Sequence, residues 1–519
     1  MPIVVTGSMN GSKPLVAERT HQHFAAQAVV LGSVVLGLVP LLWFAISRGG
    51  LSAFRLDVGV WDVLVFTLEQ AFLSTVLSVV PGLFIARALA RQDFPGHAWL
   101  LRLFAVPTAL PAIVVVLALT SIYGNKHLLG GLIELYGLGG ILLAHVFFNL
   151  PLAVRLFYEA SEHIAAENFR LSAQLSFNDT ELFRHVEWPV FRNVVPRVSA
   201  LIFLLCAASF VIVLTLGGPA ATTLEVAIYQ SLRLDFDIGR ALTLAIIQIA
   251  LCLVLVGLCG QVMLRHVTHA GTQLFQRRYD GQNYAGRTVD YVLIALGALV
   301  VLPPLLALVL SGLTQLQITP QVLNATAFSL GIGLVSAVIA LILAWNIAQQ
   351  SDWISQGLAL SALIVPPAVM ATGWFIMLQV FSDSTWVVVS TIIALNALMA
   401  LPFVVSILAP AFERNRKKHD RLCAQLALSG WQKLRNIDLP LMARPLAQAF
   451  LLAFILSIGD LTAITLLGNQ GIVTLPSLIQ IQMGHYKGND AAGTALLLAI
   501  LSLVCAWAAQ KFGDQSDPG

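Results

Sequence analysis

The chain alternates long apolar runs with short polar joints. Runs near the ~20 residues that span a bilayer core as a helix number about twelve. They are centred near Val35, Val76, Ala112, Val146, Leu205 and Leu251, then near Ala298, Val335, Val369, Leu395, Phe454 and Leu498. They are continuous rather than alternating, which predicts helices. In lipid only helices and closed barrels satisfy every backbone group, and barrel strands alternate. Two joints have a different pattern. From Leu171 to Phe183 the apolar residues Leu171, Leu175, Leu182 and Phe183 have helical spacing with polar residues between them. This predicts one amphipathic helix, closed by Pro189. Leu422, Leu426, Leu428 and Leu434 repeat the pattern before Pro440.

The two joints are copies. Sliding the sequence so that Gln174 meets Gln425 also places Leu175 on Leu426, Arg184 on Arg435, Val186 on Ile437, Glu187 on Asp438 and Pro189 on Pro440. The register extends upstream to Pro151 and Pro402. Downstream it reaches Leu216-Gly217 with Leu467-Gly468 and Thr223-Leu224 with Thr474-Leu475. A weaker match, "FTLEQAFLSTVLS" with "FSLGIGLVSAVIA", lies at a slightly different offset. The chain is therefore an internal duplication. Equivalent points lie an even number of spans apart, so the halves run parallel about an axis along the membrane normal. The predicted fold is all-α and polytopic, with about twelve transmembrane helices in two parallel six-helix repeats. The halves are 1–264 and 291–519, and the polar, basic stretch "RHVTHAGTQLFQRRYDGQNYAGR" lies in a cytoplasmic linker at 265–290.

Composition agrees with that pattern: 58% of residues are hydrophobic and 11% charged. A soluble domain has about 25% charged residues. The first apolar run has no small-residue cleavage site after it, so it is expected to be retained as a span. With the N-terminus inside, only Arg48, Arg55, Lys126, Arg233, Arg240 and Lys487 of the 29 Lys and Arg fall on the outer side. That asymmetry predicts cytoplasmic N- and C-termini. The formal net charge of +3 gives no ground for a nucleic-acid partner, and none is expected.

Three kinds of site are not expected. The five cysteines show no CxxC spacing and read as small packing residues. "GSMNGSKP" at Gly7–Pro14 has the wrong spacing for a phosphate-binding loop. His266 and His269 have no acidic or cysteine partner beside them, so no metal is predicted.

The duplicated joint resembles the signature loop of ABC importer permeases, EAA-x3-G-x9-I-x-L-P, with its last proline at Pro189 and Pro440. Val186 and Ile437 match the hydrophobic position, and Leu439-Pro440 the terminal pair. The sequence departs from the motif with Ser176 and Ala427 at the glycine, Arg170 and Arg421 at the leading acid, and Trp188 at the leucine of the first copy. The resemblance implies a type I permease whose two coupling helices dock on two copies of a cytoplasmic ATP-binding subunit. The positions it assigns to coupling are Ala173, Leu175, Ser176, Phe177, Glu187 and Pro189, with Ala424, Leu426, Ala427, Leu428, Asp438 and Pro440.

The longer strings "ILLAHVFFNLPLAVRLF", "HVEWPVFRNVVP", "TTLEVAIYQSL" and "LSIGDLTAITLLGN" narrow the likeness to permeases of bacterial thiamine importers. Permeases of ferric-iron importers share the fused layout and remain the alternative. The implied protein is an inner-membrane transport subunit rather than an enzyme. It binds no cofactor itself, uses ATP held on the partner subunit, and receives thiamine from a periplasmic binding protein. A secondary carrier, the rival class, needs ion-coupling groups at depth, of which the sequence offers few. A channel or scaffold is the other rival.

Carboxylates within spans point to a translocation path, because each costs about 2.5–3.5 kcal/mol on insertion scales. Asp460 is the first candidate, with Ser209 as its repeat equivalent; Phe210 offers an aromatic face to a cationic cargo. Capping a helix break at Gly459 is the alternative role for Asp460. Glu69 is a second candidate, or else reaches interfacial water. The stretches "GGPAATTLEVAIYQSLRLDFDIGR" and "GNQGIVTLPSLIQIQMGHYKGND" are either docking surfaces for the binding protein or plain connectors.

Overall fold

The computed structural model describes residues 27–40, 43, 47, 58–124, 134–218, 221–263, 284–349, 365–378, 384–425, 430–468, 471–485 and 488–514. The first half comprises α1 (Gln27–Pro40), α2 (Val58–Arg91), α3 (His97–Ala109), α4 (Ala112–Tyr123), α5 (Leu138–Glu162) and α6 (Ala166–Gln174). It continues through α7 (Asp179–Leu182), a π-helical turn at Phe183–Glu187, α8 (Trp188–Ala207), α9 (Val211–Leu216), α10 (Leu224–Arg233) and α11 (Ile238–Met263). The second half comprises α12 (Tyr284–Gln315), α13 (Pro320–Ala348), α14 (Pro367–Leu378) and α15 (Thr385–Gln425). It ends with α16 (Gly430–Lys433), a π-helical turn at Leu434–Asp438, α17 (Leu439–Ile458), α18 (Thr462–Leu467), α19 (Leu475–Gly484) and α20 (Gly488–Asp514).

Among the described residues nine helices are long and apolar enough to cross a membrane, and none of those residues is in a strand. The pair α3 and α4, bent by 111° at Leu110-Pro111, makes a tenth, and α1 and α14 are shorter apolar helices. Each of the twelve apolar centres read from the sequence lies on one of these elements. Helix α12 already begins at Tyr284, so the last residues of the expected linker continue into a span. Prolines persist inside the long helices, as at Pro81, Pro151 and Pro402. Neighbouring helices and local widening re-satisfy the backbone groups that a proline frees in a span.

The repeat extends to individual hydrogen bonds. Thr67 Oγ1 on α2 accepts the backbone N–H of Leu224, the first residue of α10, at 3.0 Å. Ser329 Oγ on α13 accepts that of Leu475, the first residue of α19, at 2.8 Å. Each clasp satisfies an N–H that a helix start leaves without an intrahelical partner.

The halves interlock through small residues. A Cβ at Gly373 of α14 would lie 1.7 Å from the Gly37 carbonyl oxygen, so only glycine admits α1 there. Trp374 Nε1 donates to the Ser33 carbonyl at 3.2 Å beside this contact. At the start of α12, Asp290 accepts from Gln92 of α2 at 2.8 Å.

Candidate functional site

The first repeated loop is two short helices around a sharp turn, not the single amphipathic helix predicted for 171–183. Helix α6 stops at Gln174, and Ser176 takes a left-handed φ of 55°. Asn178 then opens α7 with a capping box: its side chain accepts the Glu181 N–H, and Glu181 accepts the Asn178 N–H. The turn divides the four apolar residues between two surfaces. Leu171 and Leu175 point outward, 56% and 58% exposed, whereas Leu182 is buried and Phe183 packs on the core. Ala173 and Ser176 are exposed and Phe177 and Pro189 half-buried. Ser176 occupies the position where the resembled motif has glycine, and its left-handed backbone is one that glycine adopts at lower cost.

The π turns occupy the same register in both copies, Phe183–Glu187 and Leu434–Asp438. Pro189 and Pro440 follow at the second position of α8 and α17. A proline cannot donate to the preceding turn and its ring crowds the carbonyl there, which favours a widened turn. In the second copy Leu426, Ala427 and Leu428 lie outside the described residues, as do the side chains of Leu422 and Ala424. Asp438 is half-buried and Pro440 exposed.

A charge cluster secures the first loop to the helices behind it. Glu187 is fully buried and pairs with Arg87 of α2. Arg87 also reaches Asp179 at 2.8 Å and lies over the Phe183 ring. Arg91 bridges Asp179 at 3.1 Å to Asp290 of α12 at 3.5 Å. Displacement of the loop therefore pulls on α2 directly and on the second half through Asp290.

The path candidates separate. Asp460 lies in the break between α17 and α18, where its carboxylate accepts the N–H groups of Thr462 at 3.2 Å and Ala463 at 2.9 Å. It caps α18, and a Cβ on the neighbouring Gly459 would lie 2.8 Å from Pro111 of the first half. The carboxylate also borders a water-sized cavity with Ser329, Asn396, Ser457 and Thr474. Ser209 occupies the matching break between α8 and α9. Phe210 is buried there, edge-on to Tyr229 with ring centroids 5.7 Å apart. Glu69 is exposed on α2, on a face it shares with Val65, Phe72 and Val76, away from these breaks.

Several buried polar residues escaped the sequence reading. His145 Nδ1 pairs with Ser74 Oγ at 2.9 Å. Gln70 Nε2 donates to the Cys206 carbonyl at 2.9 Å, and Asn149 Nδ2 to the Cys206 sulfur at 3.2 Å. Cys206 thus accepts hydrogen bonds as well as filling space. Most of α10 and the first residues of α19 are buried, so part of each stretch read as a docking surface or a connector packs into the core. In the first of them Leu234 and Phe236 remain at the exposed tip, 61% and 77% exposed. The candidate histidines 266 and 269 lie outside the described residues.

Residues 336–513 match the family described as binding-protein-dependent transport system inner membrane component. The chain is 41% identical to the thiamine transport system permease protein ThiP of Brucella abortus over 94% of this chain and 96% of the relative. It is 39% identical to the protein of that name from Salmonella typhimurium, over 91% of this chain and 93% of the relative. For the Escherichia coli K12 protein the identity is 39%, over 90% and 92%. With these identities along nearly its whole length, and with a duplicated loop ending in proline, the chain belongs to the thiamine transport system permease family of ABC importer inner-membrane components.

Proposed function

We propose that this permease carries thiamine across the bacterial inner membrane in an ATP-driven importer. In that reading the halves are 1–264 and 291–519, joined at 265–290, with both termini cytoplasmic. Two copies of a separate ATP-binding subunit hold and hydrolyse ATP, one at each repeated loop, and a periplasmic binding protein delivers thiamine. The chain itself binds no cofactor.

The observation that carries the reading is the repeated loop, in whose first copy an outward-facing Leu171 and Leu175 stand on a turn secured to the spans through Arg87 and Glu187. Apolar side chains exposed on a rigid, charge-anchored turn suit docking on a protein partner. Closure of the ATP-binding subunits would move the loops, and the helix breaks at Ser209 and Asp460 are where the spans can yield. Weak binding in the path suits release, while the binding protein supplies specificity.

The test is labelled-thiamine uptake in cells lacking their own uptake system, with the chain expressed alone and then with its ATPase and binding protein. Uptake is expected only with both partners and a hydrolysis-competent ATPase. Uptake by the chain alone would make it a secondary carrier. An assembled complex that moves ferric iron and not thiamine would reassign the cargo.

A further inference from the structure

Helix α10 carries a carboxylate that the coupling loops do not use. Glu225 is fully buried at the boundary between the halves. The Gln248 amide of α11 donates to its Oε1 at 3.4 Å, and the backbone amide of Ala368, at the start of the second half's α14, faces it. Its Oε2 has no hydrogen-bond partner, and among the described residues no cationic side chain pairs with it. Helix α10 is not one of the spans, and burial pushes this carboxyl up to about 8, even though the Ala368 and Gln248 groups favour its charged form. Burial therefore disfavours the charged form of the group in this structure.

A buried carboxylate with an open oxygen is costly unless a partner arrives in some state of the protein. Tyr229 lies one turn further along α10, a spacing that puts two side chains on neighbouring parts of one helix face. Tyr229 in turn meets Phe210 edge-on. The boundary thus offers a latent negative charge and, one turn along the same helix, the Tyr229 ring backed by Phe210, the groups that attract an organic cation with an aromatic ring.

We propose that Glu225, with Tyr229 and Phe210, receives the cationic ring of the cargo when the halves part at the outer end, and so determines selectivity for a cation. This rests on the thiamine reading above. With the halves together, burial disfavours the charged acid while the Ala368 amide and Gln248 position it. Separation of α10 from α14 wets the carboxyl, which ionises and meets the cation; reclosure expels the cation inward as the acid regains its proton from water.

Glutamine copies the neutral acid in shape but cannot ionise, so Glu225→Gln separates a latch from a cation site. In the complete reconstituted complex, labelled-thiamine transport per assembled complex is expected to fall about tenfold or more in E225Q, the scale of one lost charge-assisted contact. Glu225→Asp, which keeps the charge, is expected to retain more transport than E225Q. Transport by E225Q equal to wild type would overturn the inference and leave Glu225 a closing contact. Should E225Q not assemble, Tyr229→Leu decides: a several-fold loss supports the site, and unchanged transport overturns it. A wild-type complex that transports no thiamine would overturn the cargo reading and this inference with it.

Discussion

The two halves share a backbone and differ in where they carry charge. Both have a long helix clasping a short one by a hydroxyl, a π turn before a proline, and a break after the following span. At the break the first half has the neutral Ser209 beside a network of Gln70, Asn149 and Cys206, while the second has Asp460 beside a water-sized cavity. At the boundary helices the order reverses: Glu225 of α10 faces α14, and its repeat equivalent on α19 is Pro476. Duplication has thus kept the hinges and redistributed the carboxylates, one per half and at different positions. In the proposed transport reading, a cargo passing between the halves meets an asymmetric lining inside a symmetric frame.

The largest effect expected from this asymmetry is at the loops. Replacing Arg87 with Met removes the cationic partner of the fully buried Glu187, which should destabilise the first half by about 3–5 kcal/mol. In the second half the equivalent acid, Asp438, is half-buried, and Asp438→Asn should cost about 1 kcal/mol or less. Thermal unfolding of the purified chain in detergent reads both, and equal losses would erase the distinction between the loops. Combining Arg87→Met with Glu187→Gln should recover much of the first loss.

At the breaks the expected effects are smaller. Asp460→Ala removes the cap of α18 and should cost about 1–2 kcal/mol, whereas Ser209→Ala should stay within about 0.5 kcal/mol. Asp460→Asn keeps an accepting oxygen and removes the charge. It separates cap from path: uptake at the wild-type level assigns Asp460 to capping alone, and a several-fold drop assigns its charge to the cargo.

Effects no larger than loss of the Asp460 cap are expected at the left-handed residues of the two loops, Ser176 and Gly430, with φ of 55° and 56°. Ser176→Gly should stabilise by up to about 1 kcal/mol, because the steric cost of that backbone outweighs glycine's extra entropy. Gly430→Ala should cost about 1–2 kcal/mol. If both substitutions prove neutral in the same unfolding assay, neither loop is held in its turn by the body of the protein.

What was legible in the sequence was what depends on long periodicity. The twelve apolar centres and the repeat register survive because span length and proline position are fixed by lipid thickness and backbone chemistry. The break in the first loop was also written there: Asn178 three residues before Glu181 is a helix-start signature, and it outweighs the helical spacing of Leu171, Leu175 and Leu182. Burial of Glu225 was not legible. "TTLEVAIYQSLR" has the polarity of a surface loop, and only packing of α10 against α11 and α14 shows that its acid is enclosed. The π turns were hidden for a similar reason, since a proline announces a disturbance but not its form.

Those wide turns also record history. A π turn is an α-helix carrying one extra residue, and acquiring it at the same place twice requires two independent insertions. Found in matching register in both halves, each with its proline, the extra residue is a feature the two repeats hold in common. Two repeats in one chain need not stay identical, and Ser209 against Asp460 and Glu225 against Pro476 are where these two have diverged around a shared turn.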